Sequence, residues 1–107
     1  MTTFDDRERG FEAAFVHDAE VEFKATARRD RFLGAWAGRL MGLSGQDLVN
    51  YAAAVVQSDF KHPGDADVLH KIARDLAASG VKTAEETLRG KMGEFLSVAR
   101  EQIHAGQ

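Results

Sequence analysis

The sequence predicts an all-α, single-domain protein in which a long first helix packs on three shorter antiparallel helices. Three observations predict this fold class. The 107 residues contain one proline, Pro63, which leaves room for long helices. They contain no cysteine, which excludes disulfide-bonded and zinc-finger scaffolds. Apolar residues recur at helical spacing between short turns, and hydrophobic residues make up 44% of the chain, as in globular proteins.

The first helix is expected to be much longer than the others. No proline interrupts residues 4–41, most of these residues favour helix, and Gly42 can end it. At 1.5 Å per residue this helix would be about 55 Å long, whereas the later helices would be about 20 to 30 Å long. About 15 N-terminal residues should therefore extend beyond the bundle. Within the single domain of residues 1–107, we expect residues 1–18 to be a mobile segment and residues 19–107 to be the helical bundle.

Turn residues and apolar stripes predict the other three helices. Ser44, Asp65 and Thr83 are expected to be their N-caps, because each side chain has an oxygen that can accept a hydrogen bond from the first helical turn. Residues 62–64, which include the proline, should end the second helix, and Gly80 should end the third. The residues expected to form the common core are Trp36, Leu40, Leu48, Val55, Leu69, Ile72, Leu76, Met92, Phe95 and Leu96.

The N-terminal segment has an apolar stripe of its own. At 100° per residue, Phe4, Phe11 and Phe15 lie within about 40° of one another on one helix face. The later stripe of the first helix, with Phe23 alongside, is expected to join the bundle core. Two interpretations are open for the first stripe: the segment folds back and buries its phenylalanines, or it presents them to a partner protein. Because the segment is expected to extend beyond the bundle, the second interpretation, binding to a partner protein, is favoured.

Charge is distributed unevenly over a chain whose net charge is −3. Residues 1–22 hold seven acids and two bases, and residues 23–41 hold five bases and one acid. The chain lacks the broad basic surface that nucleic-acid binding requires, so no nucleic-acid partner is predicted. The basic run is interpreted as a solvated face that is balanced by acids on neighbouring helices. In an alternative interpretation, a purine nucleotide is bound by charge and stacking through Arg28, Arg29, Arg31 and Trp36.

Neither a catalytic motif nor a metal site is predicted. The chain has no phosphate-binding glycine loop and no nucleophile motif, so we expect a protein that is not an enzyme and needs no cofactor. Two carboxylate-x-x-His pairs, Asp67 with His70 and Glu101 with His104, would need further inward-facing glutamates to hold two metal ions, and the core stripes supply none. No apolar run reaches the roughly 18 residues of a membrane span, and no signal sequence precedes the first helix. A cytoplasmic protein without direct membrane insertion is expected.

The N-terminal third has an unusual order of phenylalanines and charges. It reads FDDRERGFE at residues 4–12 and FVHDAE at residues 15–20. Further blocks are FKA at residues 23–25, LGAWA at residues 33–37 and LRGKM at residues 88–92. Together these blocks resemble the zeta subunit of the F-type ATP synthase of alphaproteobacteria, and the likeness covers essentially the whole chain.

The resemblance implies a four-helix inhibitor of ATP hydrolysis by the synthase. In that family the N-terminal segment enters the catalytic interface between an alpha and a beta subunit, beside the rotor shaft, and blocks rotation in the hydrolytic direction. The implied partners are therefore the alpha, beta and rotor-shaft subunits, and the free protein is expected to be a monomer. The implied partner-binding residues are Phe4, Asp5, Arg7, Glu8, Arg9, Phe11, Glu12, Phe15 and Asp18. A helix-in-groove adaptor for another protein is the alternative function.

Overall fold

The architecture consists of four α-helices joined by short turns. It is taken from a computed structural model that describes the backbone of residues 3–107 and the side chains of residues 17–107. The helices are α1 at Thr3–Leu40, α2 at Gly45–Lys61, α3 at Asp65–Ala78 and α4 at Glu85–His104. Residues 3–107 contain no strand. The predicted all-α fold class is therefore confirmed.

Helix α1 is the central element of the fold. It packs against each of the other three helices, with α2 and α4 as its main neighbours, and α3 contacts all of them. The molecule measures 64 × 25 × 23 Å, so it is elongated. The 38 residues of α1 make a rod about 57 Å long, whereas the 20 residues of α4 reach only about 30 Å. The N-terminal part of α1 thus extends beyond the shorter helices, as predicted.

Two glycines of α1 allow α2 to approach closely. A Cβ atom at Gly34 would lie 2.8 Å from the Cα atom of Ala52, and one at Gly38 would lie 2.6 Å from the Cδ1 atom of Leu48. Glycine weakens an isolated helix by about 1 kcal/mol relative to alanine. Here the absent side chains let the two helix backbones come into contact, and the packing offsets that cost.

Most of the predicted core is found in or against one apolar cluster. The predicted core residues that are buried are Val55, Leu69, Ile72, Leu76 and Met92. Those that are half-buried are Trp36, Leu48, Phe95 and Leu96. The prediction is wrong for Leu40, which is 44% exposed as the last residue of α1, while Met41 packs against the cluster instead. Buried residues outside the predicted set include Leu33, Val68 and Leu88.

Two of the three predicted N-caps are wrong. Ser44 does precede α2, although its side chain makes no capping hydrogen bond. Asp65 is already the first residue of α3, because Gly64, with a φ of 138°, takes the N-cap position. Ala84 is the N-cap of α4 in an extended conformation, so Thr83 lies one residue too early to cap it. The carboxylate of Asp65 accepts a hydrogen bond from Arg29 instead.

Leu76→Ala is expected to destabilise the fold by about 2 to 5 kcal/mol, because Leu76 is fully buried and its truncation leaves a cavity. Urea-induced unfolding followed by circular dichroism measures this loss. Val49→Ala is the control, since Val49 is 60% exposed on α2 and should change stability by less than about 0.5 kcal/mol. Equal effects of the two substitutions would contradict the core assignment.

Candidate functional site

The predicted partner-binding segment belongs to α1. Its backbone is helical from Thr3, and the segment continues without a break into the part of α1 that packs in the bundle. The side chains of Phe4, Asp5, Arg7, Glu8, Arg9, Phe11, Glu12 and Phe15 lie outside the described residues. Asp18 is described and is exposed. Residues 17–20 are all exposed, so the first buried position of α1 among those described is Ala25.

An ion pair joins α1 to α4 just after this segment. The guanidinium of Arg100 donates two hydrogen bonds to the carboxylate of Glu22, at 2.9 and 2.8 Å. The hydrogen bonding from Arg100 lowers the pKa of Glu22 below its ordinary value. Both side chains are about half exposed, so this ion pair is expected to add little to stability. Its main effect is to hold α1 and α4 side by side at this position.

The four residues predicted to bind a nucleotide have different neighbours. Arg28 donates hydrogen bonds to the side chain of Gln102 and to the backbone oxygen of Gln107, at the end of the chain. Arg31 is exposed and lies over the ring of Phe32. Trp36 is half-buried, and the ammonium group of Lys91 lies 5.9 Å from the centre of its ring. Arg29 is buried. Nucleotide binding by this set stays a prediction.

Arg29 is the centre of a charged cluster that joins three helices. Its guanidinium donates to Asp30 Oδ1 at 2.8 and 3.0 Å and to Asp65 Oδ1 at 2.9 Å, and it lies 3.6 Å from Asp59 Oδ2. The side chains of Arg29 and Asp30 are 3% and 1% exposed, and that of Asp59 is 14% exposed. The interpretation of the basic run is therefore wrong for Arg29 in that this residue is not solvated, whereas the expected balance by acids on neighbouring helices is found at Asp59 and Asp65. Its charge is neutralised inside the fold.

One oxygen of this cluster has no ordinary hydrogen-bond donor. Within the described part of the chain, no N–H or O–H group of known position donates to the buried Oδ2 atom of Asp30. Burial, followed by a hydrogen bond with Asp59, raises the pKa of Asp30 to about 8, against the opposing effect of Arg29. The raised pKa favours the protonated form of Asp30, whose proton can be shared with the carboxylate of Asp59. With that proton in place, one guanidinium faces two carboxylates, Asp59 and Asp65.

The raised pKa predicts that stability falls as pH rises through the interval from about 4 to about 8. In that interval the unfolded chain has lost the Asp30 proton and the folded chain keeps it, so the Asp30 contribution to stability is complete only at acid pH. Asp30→Asn replaces the shared proton with an amide donor that cannot be lost. We therefore expect the stability of the variant, measured by urea unfolding, to exceed that of the wild type progressively from pH 5 to pH 9. Parallel pH profiles would contradict the proton assignment.

A helical row indicates why Arg29 is buried. Ala25, Arg29, Leu33 and Ala37 follow one another at intervals of four, and all four are buried. Residues four apart lie on one helix face, so an arginine inside a row of small and apolar residues must either interrupt that face or be paired. The burial of Arg29 could therefore be predicted from the sequence. Its partners Asp59 and Asp65 could not be predicted, because periodicity does not show where their helices lie in space.

An apolar groove lies beside the charged cluster. Phe23 was predicted to join the core, but it is 59% exposed, because it packs against Phe60 of α2 on the outside of the bundle. The two ring centroids are 5.3 Å apart. A cavity of about 620 Å³ lies here between α1, α2 and the turn to α3. We call it the Phe23–Phe60 groove. The residues that line it are Ala19, Glu22, Phe23, Thr26, Ala27, Asp30, Val56, Asp59, Phe60, Pro63, Gly64 and Asp65.

The histidines considered as metal ligands are divided between two surface depressions. His62, Asp67 and His70 line one of them, together with two basic residues of α3. His104 lines the other, together with His17 of α1. Among the described side chains, no group of three or more His, Cys, Asp or Glu residues is placed to hold a metal ion. In the part of the chain that the structure describes, none of the helices is long and apolar enough to cross a membrane.

Comparisons with known proteins agree with this architecture. The sequence profile of the family described as ATPase inhibitor subunit zeta matches residues 1–102. A protein solved by solution NMR is 35% identical to this chain, with a TM-score of 0.69 over 80% of this chain and 98% of its own. None of the curated proteins compared with the chain matches it. The match over nearly all residues shows that the chain belongs to the ATPase inhibitor subunit zeta family.

Proposed function

We propose that this protein inhibits ATP hydrolysis by the F-type ATP synthase by inserting the N-terminal part of α1 into the catalytic interface between an alpha and a beta subunit, beside the rotor shaft. The observation that carries the proposal is the single helix Thr3–Leu40, which extends beyond a bundle of much shorter helices. A rod held at one end by a folded domain can enter a cleft and stop the movement of its walls. The inhibitor family of the chain supports this role.

Apolar anchors and charges have separate parts in the proposed contact. Phe4, Phe11 and Phe15 would fill apolar pockets of the cleft, where complete burial contributes at most about 5 to 9 kcal/mol. Arg7 and Arg9, with the acidic residues between and around them, would meet charged walls at its rim and set the orientation.

The continuity of α1 lowers the cost of binding. Ordering some 15 residues from coil would cost about 15 to 30 kcal/mol of backbone entropy, which exceeds what three phenylalanines return. A segment that continues a helix already fixed in the bundle needs no new nucleus and loses less entropy. We therefore propose that residues 1–18 fray in the free protein and become fully ordered in the cleft. The bundle contacts of Glu22 and Arg29 would supply the fixed end of the helix.

The direct test adds the purified full chain to a matched F-type synthase and measures ATP hydrolysis. Hydrolysis should fall with increasing inhibitor, and ATP synthesis should be affected much less. Absence of any inhibition at micromolar concentrations would refute the proposed function.

Phe11→Ala with Phe15→Ala should weaken inhibition by at least tenfold, because buried aromatic residues dominate helix-in-groove contacts. The concentration for half-maximal inhibition of ATP hydrolysis measures the loss. Val49→Ala with Val98→Ala is a matched control that truncates two exposed apolar residues of the bundle and should leave inhibition unchanged. If both double variants inhibit like the wild type, the anchors lie elsewhere.

A further inference from the structure

The Phe23–Phe60 groove exposes apolar surface that the bundle does not cover. Phe23 and Phe60 are 59% and 55% exposed although they pack against each other. Val56 and Pro63 extend the same apolar wall around a cavity of about 620 Å³. Two large aromatic side chains exposed together at one cavity are a feature of surfaces that contact another molecule. The cavity is large enough to take several side chains of one partner segment.

The charges of the groove are of one sign. Its charged lining residues are Glu22, Asp30, Asp59 and Asp65, and none of the described residues that line it is Lys, Arg or His. Arg29 lies behind this wall and contacts all three aspartates, and Arg100 pairs with Glu22. Four carboxyl groups thus face two guanidinium groups, so negative charge remains in excess even with a proton on Asp30. The groove therefore favours an occupant that carries N–H cations beside apolar side chains.

The groove continues the N-terminal segment along the same helix. Ala19, the first lining residue of α1, is four residues and about 6 Å beyond Phe15. At 100° per residue, the α1 positions that line the groove are centred about 70° around the helix from the stripe of Phe4, Phe11 and Phe15. The two sets of helix positions therefore adjoin along α1, and a partner that takes up the segment reaches the groove next.

We propose that the Phe23–Phe60 groove docks an amphipathic helix of the partner, whose apolar anchors are flanked by Lys or Arg. This inference rests on the proposed function, because the partner is taken to be the protein that receives the N-terminal segment. A second copy of this chain is a poor occupant. Its own apolar stripe is flanked by acids, with seven acids and two bases in residues 1–22, and these would be repelled by the acidic lining.

Phe23→Ala with Phe60→Ala tests the groove in the full chain. Both residues are more than half exposed, so the variant should keep the melting temperature within a few degrees of the wild type. Its Kd for the purified synthase head should rise at least tenfold, whereas inhibition at saturating concentration should stay complete. Val49→Ala with Val98→Ala should leave Kd unchanged. A wild-type Kd in the groove variant would overturn the proposal.

A model peptide separates failure of the groove from failure of the proposed function. A helical peptide of Leu and Lys, added to the isotope-labelled full chain, should shift the amide NMR signals of α1 and α2 around Phe23 and Phe60. A Leu and Glu peptide of the same pattern should not. If the wild type neither binds nor inhibits the synthase, the proposed function fails, and shifts with the Leu and Lys peptide still support the groove. Shifts that are absent, or that persist in the double alanine variant, would overturn it.

Discussion

Deletion of residues 1–18 is expected to abolish inhibition of ATP hydrolysis while lowering the melting temperature by less than about 5 °C. The deletion removes the three phenylalanines and two arginines of the proposed contact. It removes no residue of the described core, which begins at Ala25, and it spares the Glu22–Arg100 pair. The expected change in unfolding free energy is therefore below about 1 kcal/mol, which corresponds to a few degrees for a domain of this size.

The measurement is paired: a thermal melt and an inhibition assay on the same preparation. A synthetic peptide of residues 1–18 is the complementary control, and it should inhibit far more weakly than the full chain, since an isolated helix of this length is marginal in water. Unfolding of the truncated chain would show that the phenylalanines belong to the core. Retained inhibition in a folded truncated chain would place the inhibitory segment elsewhere.

The sequence predicted the helices more reliably than their ends. Four periodic stretches, the proline turn at residues 62–64 and Gly80 were enough to locate α2, α3 and α4 within a few residues. The N-caps at Asp65 and Thr83 failed because a cap depends on the backbone conformation of one residue. Gly64 at positive φ and the extended Ala84 take those positions, and no spacing rule distinguishes them from their neighbours.

The surface of the bundle was harder to predict than its core. Phe23 is of a residue type that is usually buried, and only the position of α2 leaves it outside the core, against Phe60. Arg29 is of a residue type that is usually exposed, and only the positions of Asp59 and Asp65 provide its partners. In both cases the deciding fact is which elements are neighbours in space. Periodicity along one helix does not contain that fact.

Arg29→Met is expected to destabilise the protein by about 3 to 5 kcal/mol at neutral pH. The substitution keeps the volume of the buried stem and removes the only cation that contacts all three aspartates of the described cluster. Removal of one partner from a buried ion pair is costly because it leaves uncompensated charge in the interior. Arg28→Met is the matched control. Arg28 is only half-buried, and its bonds go to the side chain of Gln102 and to the exposed backbone oxygen of Gln107, so its loss should cost below about 1.5 kcal/mol.

The cost of Arg29→Met should also depend on pH, and this dependence separates lost charge compensation from lost packing. At pH 5, the proton held by Asp30 relieves part of the uncompensated charge, so the loss in unfolding free energy should be smaller than at pH 8. Adding Asp30→Asn removes one carboxylate and should restore part of the stability at pH 8. A loss that is equal at both pH values and unaffected by Asp30→Asn would mean that the guanidinium acts through its packing. In that case the charge of Arg29 would not be what joins the three helices at this cluster.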